Sequence, residues 1–456
     1  MKLNATYIKI RDKWWGLPLF LPSLILPIFA HINTFAHISS GEVFLFYLPL
    51  ALMISMMMFF SWAALPGIAL GIFVRKYAEL GFYETLSLTA NFIIIIILCW
   101  GGYRVFTPRR NNVSHGDSRL ISQRLFWQIV FPATLFLILF QFAAFVGLLA
   151  SRENLVGVMP FNLGTLINYQ ALLVGNLIGV PLCYFIIRVV RNPFYLRSYY
   201  SQLKQQVDAK VTKKEFAIWL LALGALLLLL CMPLNEKSTI FSTNYTLSLL
   251  LPLMMWGAMR YGYKLISLLW AVVLMISIHS YQNYIPIYPG YTTQLTITSS
   301  SYLVFSFIVN YMAVLATRQR AVVRRIQRLA YVDPVVHLPN VRALNRALRD
   351  APWSALCYLR IPGMEMLVKN YGIMLRIQYK QKLSHWLSPL LEPGEDVYQL
   401  SGNDLALRLN TESHQERITA LDSHLKQFRF FWDGMPMQPQ IGVSYCYVRS
   451  PVNHIY

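Results

Sequence analysis

From Val43 to Val74 the chain carries no charged side chain. That run is longer than the about 20 apolar residues that one bilayer crossing requires, and no soluble core consumes so much uninterrupted hydrophobic sequence. Comparable runs recur as far as Ala316. Charged residues make up 13% of the chain, against roughly 25% in ordinary soluble domains. The fold this dictates is a polytopic α-helical membrane domain. About ten spans are expected, at 14–31, 43–60, 61–74, 82–103, 125–150, 161–187, 215–232, 243–259, 265–281 and 298–316. The break inside the long run is placed at SWAALPG, Ser61 to Gly67.

Charge gives the orientation. With the N-terminus inside, Lys and Arg crowd the N-terminus, the loops 104–124 and 188–214, the Arg260/Lys264 turn and the segment after Ala316. The loops expected outside hold Arg75, Lys76, Arg152 and Lys237. This asymmetry is what the positive-inside rule produces; Arg75 and Lys76 dissent from it locally. The formal net charge of +20 is therefore read as topology and affinity for anionic headgroups, not nucleic-acid binding. The first apolar stretch lacks a small-residue cleavage site and is read as an uncleaved span. The cysteines at 99, 183, 231, 357 and 446 have neither metal spacing nor a disulfide pattern.

Polar side chains inside spans are costly and often functional. The candidate sensory residues are Asn91, Asn168, Asn176 and His279, with Gln141, Gln170 and Asn310 beside them. Interhelical hydrogen bonding is the simpler use of each. None is a carboxylate, which weighs against a proton-coupled transporter. Prolines at 18, 22, 27, 49, 66, 181 and 252 imply kinks that a cavity or a moving helix could use.

The stretch Thr317–Asn340 is the hinge of the chain. Arg318, Arg320, Arg324, Arg325 and Arg328 follow the last span directly. Val322, Val323, Ile326 and Leu329 recur at helical spacing, so residues 317–330 are expected to extend the span as a signalling helix and to pair with the same helix of a second chain. Beyond it the pattern shortens into a cytoplasmic α/β domain, 331–456, with strands at 354–362, 439–448 and a hairpin around residues 397–410, and helices at 340–350, 364–388 and 413–428.

Two resemblances follow from particular residues. NLIGVPL (Asn176–Leu182) and LPLMMWGAMRYG (Leu251–Gly262) resemble motifs of the bacterial membrane-associated sensor domain of the first class, over roughly 14–316. That family implies a sensory membrane domain, residues 1–316, fused to signalling output. LAYVDPVVHLPNVRALNRAL, with Asp333, Leu338, Pro339 and Asn340 in place, resembles the opening of GGDEF domains. Ser401, Gly402, Asn403, Asp404 and Leu405 occupy the positions of the signature itself, and Lys369–Gly372 fits between the two landmarks.

The departures from that signature define the expected function. A diguanylate cyclase joins two GTP molecules on metal ions held by carboxylates. The family's metal-binding Asp aligns with Arg360, a cation; Asn403 replaces an acid; Asp404 keeps one carboxylate on a shorter stem. Asp404 is read first as a turn acid and second as a metal ligand. Ser401 adds a Cβ where the loop backbone must approach the nucleotide. The guanine-reading Asn aligns with Val368 and its neighbouring Asp with Lys369, and Glu392 and Glu395 stand at the two positions of the inhibitory Arg-x-x-Asp site. His337 and His385 have no metal-spaced partner. Catalytic residues are expected to be absent from this chain, as are a metal and any other cofactor. GTP remains a candidate allosteric ligand.

In the family a helix and a strand follow the strand at 439–448, so the α/β domain is expected to be incomplete at its C-terminus. Degenerate GGDEF domains often precede an EAL domain, which hydrolyses cyclic di-GMP to linear pGpG with magnesium or manganese. The resemblance therefore implies the sensory and regulatory part of an enterobacterial cyclic-di-GMP phosphodiesterase in the inner membrane, its partners the lipid bilayer, a second copy and, through the downstream domain, cyclic di-GMP. The alternative is a transporter or channel with a nucleotide-binding regulatory domain.

Overall fold

The computed structural model describes residues 11, 13–39, 41–107, 120–148, 162–233, 245–285, 287, 289–410 and 414–449. Arg152, Lys237, the lysines at 2 and 9, residues 149–150, 161 and 243–244 of the expected spans, and 450–456 lie outside them. The chain divides into two compact units, 1–320 and 321–456.

In the first unit a helix lies in each of the ten stretches expected to be apolar. They are α1 (Leu17–Ile32), α2 (Pro49–Phe60), α3 (Leu65–Leu80), α4 (Phe82–Phe106), α5 (Ile121–Phe145), α6 (Leu163–Arg191), α8 (Lys213–Cys231), α9 (Tyr245–Tyr261), α10 (Tyr263–His279) and α11 (Tyr291–Tyr331), with the polar α7 (Tyr195–Gln206) between α6 and α8. By length and composition six helical stretches can cross a membrane among the described residues: Pro49–Leu80, α4, α5, α6, α8 and α11. The first of these is α2 and α3 run together, so the expected break at 61–67 is a single 3-10 turn, Ser61–Ala64, with Ser61 at φ 52°.

The expected span 43–60 is corrected at its start. Residues Thr34–Ile38 (β1) and Gly41–Phe46 (β2) form an antiparallel hairpin, and helix begins only at Pro49. β-branched and aromatic side chains favour the strand, and Pro49 supplies a pre-set first helical turn. The buried Asn168 Oδ1 accepts from the Phe44 N–H at 2.7 Å, which fixes β2 to α6. Two glycines permit the close packing. A Cβ on Gly175 would stand 2.0 Å from the Tyr47 carbonyl oxygen, and one on Gly67 2.1 Å from that of Pro18.

The second unit is an antiparallel sheet in the order β4-β5-β3-β8, formed by β3 (Trp353–Arg360), β4 (Asp396–Gln399), β5 (Leu405–Leu409) and β8 (Gly442–Arg449). Alternation sorts its side chains. Ala355, Cys357, Leu359, Leu405, Leu407 and Leu409 face a core with Leu375, Tyr379, Leu383 and Leu387 of α14 (Ile373–Leu387). Tyr398 and Ala406 face Leu344 and Leu348 of α12 (Val341–Asp350). The helix expected over 364–388 is two, α13 (Met364–Tyr371) and α14, because Gly372 at φ 88° turns the chain between them. α15 (His414–Lys426) and a small hairpin of β6 (Phe430–Trp432) and β7 (Met435–Met437), not foreseen from the sequence, complete the described part.

Candidate functional site

Two sets of residues were singled out by the sequence. The hairpin in the second unit is the first. Leu405 is fully buried and opens β5; Gly402, at φ 75°, takes the left-handed conformation the turn requires. Ser401 is exposed, and the Leu400 N–H closes the loop on the Asp404 carbonyl. The loop is held from below by Lys380 of α14. Its side chain is wholly buried, and its Nζ donates to the Gly402 carbonyl at 2.7 Å and to Gln399 Oε1 at 3.0 Å. Burial lowers the Lys380 ammonium to about 8, with Arg376 adding to the shift.

The β3–β5 register pairs Leu359 with Leu405, which places Arg360 and Asp404 at one end of the two strands. The Asp404 carboxylate accepts from the Tyr358 hydroxyl in a cross-strand bond. That bond, with some burial, raises the Tyr358 hydroxyl above its ordinary value. Arg360 is exposed, and the Asn403 Oδ1 is buried with no partner. One carboxylate already engaged by a phenol, one amide and one guanidinium do not make a divalent-metal donor set. Among the described residues no group of three His, Cys, Asp or Glu side chains is placed to hold a metal. Val368 packs on the core and Lys369 points to solvent, so neither offers a neutral hydrogen-bonding edge for a purine. His337 and His385 are exposed.

Glu392 and Glu395 belong to a different device. The Glu395 side chain is fully enclosed, and Arg417 of α15 grips it with two bonds of 2.6 Å. The N–H groups of Glu392 and Asn410 donate to the same carboxylate at 2.9 and 2.8 Å. Burial pushes this carboxyl up, but the Arg417 fork and the two backbone donors outweigh it and hold it below the ordinary range. Glu392 lies 3.6 Å from Arg417 on the solvent side. The would-be inhibitory positions thus fasten α15 to the sheet edge.

The membrane candidates separate. Asn176 of α6 and Asn310 of α11 line one cavity of about 100 Å3 with Gln128 and Arg124 of α5. Asn176 Oδ1, Asn310 Oδ1 and Gln128 Nε2 have no hydrogen-bond partner there. Gln128 sits in a π-helical turn, Leu125–Val130, a distortion common at functional places. Asn168 is structural, as described, and Gln170 Nε2 donates to Ser300 of α11 at 2.6 Å. Asn91 lines neither this cavity nor the one walled by the β1–β2 hairpin, Gln141 Nε2 has no partner among the described residues, and His279 is exposed at the end of α10. The Trp256-to-Gly262 motif ends α9: Arg260 pairs with Asp208 at 3.1 Å and Glu215 at 2.9 Å, and the next helix, through the Tyr263 N–H, donates to Thr317 of α11 at 2.9 Å.

This set of helices, with both motifs placed against α11, is matched by the MASE1 family profile over residues 15–320. The chain belongs to the MASE1 family. Its MASE1 unit is a membrane domain, and several of its helices are apolar enough to span a bilayer. Over all 456 residues the chain is 99% identical to "Cyclic di-GMP phosphodiesterase PdeF" of Escherichia coli K12, covering 61% of that protein. It is 25% identical over 443 residues to "Probable cyclic di-GMP phosphodiesterase PdeA" of the same organism, covering 95% of this chain and 59% of that one. The chain thus spans about three fifths of the length of these curated relatives. Solved structures similar to part of it are a diguanylate cyclase/phosphodiesterase from Caldicellulosiruptor saccharolyticus (19% identity, 26% of this chain and 77% of that one, TM-score 0.24) and the FimX GGDEF domain from Pseudomonas aeruginosa (17%, 27% and 83%, TM-score 0.24).

Sequence reasoning missed Lys380, Arg417, Tyr358 and Gln128. Lys380 had a signal: a lysine adjoining the apolar positions 375, 379, 383 and 387 of one helix. Arg417 and Tyr358 act through tertiary neighbours that no local pattern names.

Proposed function

We propose that this chain is the sensory and regulatory part of a cyclic-di-GMP phosphodiesterase. The MASE1 unit, crossing the inner membrane about ten times with the N-terminus inside, receives a signal. α11 carries it out of the membrane. The second unit is a degenerate cytoplasmic GGDEF domain that makes no messenger and relays the signal to an EAL domain. On this reading that domain lies in the part of the relatives' length outside this chain, and it would use magnesium or manganese to open cyclic di-GMP to pGpG.

The observation that carries this reading is the end of β3 and β5. Arg360 stands where a metal-holding acid is required, and the sole carboxylate, Asp404, is bonded to Tyr358. A cation at that place opposes the magnesium on which the α-phosphate attack depends. The Glu392 and Glu395 pattern supports loss of product control in the same unit, because Glu395 is spent on Arg417. GTP as an allosteric ligand is the weaker reading, because Val368 and Lys369 offer a purine no neutral hydrogen-bonding edge. A second copy is taken to pair along Val322, Val323, Ile326 and Leu329, each of which is exposed.

The test compares the longer protein with and without residues 1–456 in bilayers. Cyclic di-GMP hydrolysis whose rate changes on removing the chain supports a regulatory role. An unchanged rate with all other properties intact contradicts it.

A further inference from the structure

A cavity of the MASE1 unit beside the β1–β2 hairpin contains none of the candidate sensory residues picked from the sequence. It has a volume of about 320 Å3, at the lower end of the roughly 300–1,000 Å3 typical of small-molecule sites. Its floor is apolar and buried: Met53, Leu88, Phe92, Phe136 and Phe140 are each less than 5% exposed. The β1–β2 hairpin walls one side through Phe35, Val43 and Phe44. Its rim carries Arg75 and Lys76.

The rim charges are unusual in two ways. Arg75 and Lys76 are two of the four basic residues in the loops expected outside, where the positive-inside rule disfavours them. Arg75 also has no carboxylate in ion-pair range among the described residues; its Nη1 donates to the Leu26 carbonyl at 3.3 Å. Lys76 pairs with Glu79 at 2.7 Å. The acid on the rim, Glu42, turns to His37 at 3.3 Å and is 54% exposed. The half-buried Arg75 guanidinium, above an aromatic and aliphatic floor, is complementary to an apolar body with an anionic head.

We propose that this cavity is the ligand site of the sensor and takes a small amphipathic anion, its chain among Met53, Leu88, Phe92 and Phe136 and its carboxylate or phosphate on Arg75. The ligand comes either as a free carboxylate or as an anionic lipid. The proposal rests on the sensory reading for its biological meaning only. Binding is measured directly, so its failure does not touch the regulation of hydrolysis, and the converse holds. The route onward is on the same helix. β2 hangs on Asn168 of α6, and two residues on, Gln170 bonds Ser300 of α11.

The probe is labelled decanoate, with decanol as its neutral analogue, on the full chain in phosphatidylcholine nanodiscs. Saturable decanoate binding is expected, weakened at least tenfold by Arg75→Gln, with decanol binding unchanged by that substitution. Leu88→Phe, which fills the floor without altering charge, should weaken both, and it decides the matter if Arg75→Gln fails to fold. If decanoate does not bind but native mass spectrometry in phosphatidylglycerol nanodiscs finds one anionic lipid retained, and Arg75→Gln or Leu88→Phe releases it, the site holds with lipid as the source. Neither molecule held saturably, or both held equally by the parent and by the variants that fold, overturns the proposal.

Discussion

The Lys380 ammonium sits directly beneath the Gly402 carbonyl, 2.7 Å away, and so ties a buried cation to the tip of the signature hairpin. A lysine there is costly to desolvate, yet it satisfies two acceptors that would otherwise be stranded. It stabilises the loop shape. Asp404 and Asp333 lie near enough to favour its charged form, without cancelling the burial.

Lys380 has a pH signature. Unfolded, it keeps its proton to about 10.5; folded, it releases it near about 8. Between those values the unfolded chain binds more protons, so folding is favoured progressively as pH rises. The neutral amine retains two N–H groups for its two acceptors. Urea midpoints of the second unit, read by limited proteolysis in the full chain, should rise from pH 8 to 10 relative to Lys380→Met. Parallel pH curves for the two proteins would contradict this.

Arg417 is the partner of an enclosed charge. Arg417→Ala should cost about 3–5 kcal/mol, the usual penalty for stranding a buried ion. Adding Glu395→Gln should recover part of it. The Glu395 carboxyl is held below its ordinary 4.5, so its contribution is present above that value and lost as pH falls through the lower, folded one. Equal acid sensitivity in parent and double variant would contradict the assignment.

Restoring the acids should not restore the enzyme. Arg360→Asp with Asn403→Asp leaves Val368 and Lys369 at the positions proposed to read the base and Tyr358 on Asp404. A site without its hydrogen-bonding groups loses discrimination by orders of magnitude. Mass spectrometry of the double variant with GTP and magnesium should find no cyclic di-GMP.

The exit helix is tested by crosslinking. Val322, Val323, Ile326 and Leu329 are between 44% and 59% exposed, which is apolar surface in need of cover. Single cysteines at these positions, in a background lacking the exposed Cys446, should crosslink in a helical pattern. Uniform absence of crosslinks would contradict pairing.

Much of the fold was legible because it is written in long-period signals. Apolar runs located a helix in every expected stretch, and alternation placed β3, β5 and β8. The β1–β2 hairpin was lost inside an apolar run, since hydrophobicity alone does not separate strand from helix at Val43–Phe46. Gly372 was passed over as a break because one glycine inside a helical pattern is often tolerated. At the site, Arg360 and Asn403 stand out in the sequence because a cation and a neutral amide occupy positions where the resemblance implies acids. The roles of Glu395 and Asp404 do not, because Arg417 and Tyr358 reach them only through the folded sheet. The amphipathic cavity was invisible for the same reason: Met53, Leu88 and Phe136 belong to three helices and look like ordinary lipid-facing residues in sequence.

Arg360 and the engaged Asp404 carry the proposal that this chain makes no messenger. The direct measurement is cyclic di-GMP production by the purified chain in nanodiscs, given millimolar GTP with magnesium or manganese and followed by mass spectrometry. The account predicts neither cyclic di-GMP nor its linear precursor above a protein-free control. Accumulation of cyclic di-GMP in proportion to the amount of chain would contradict it.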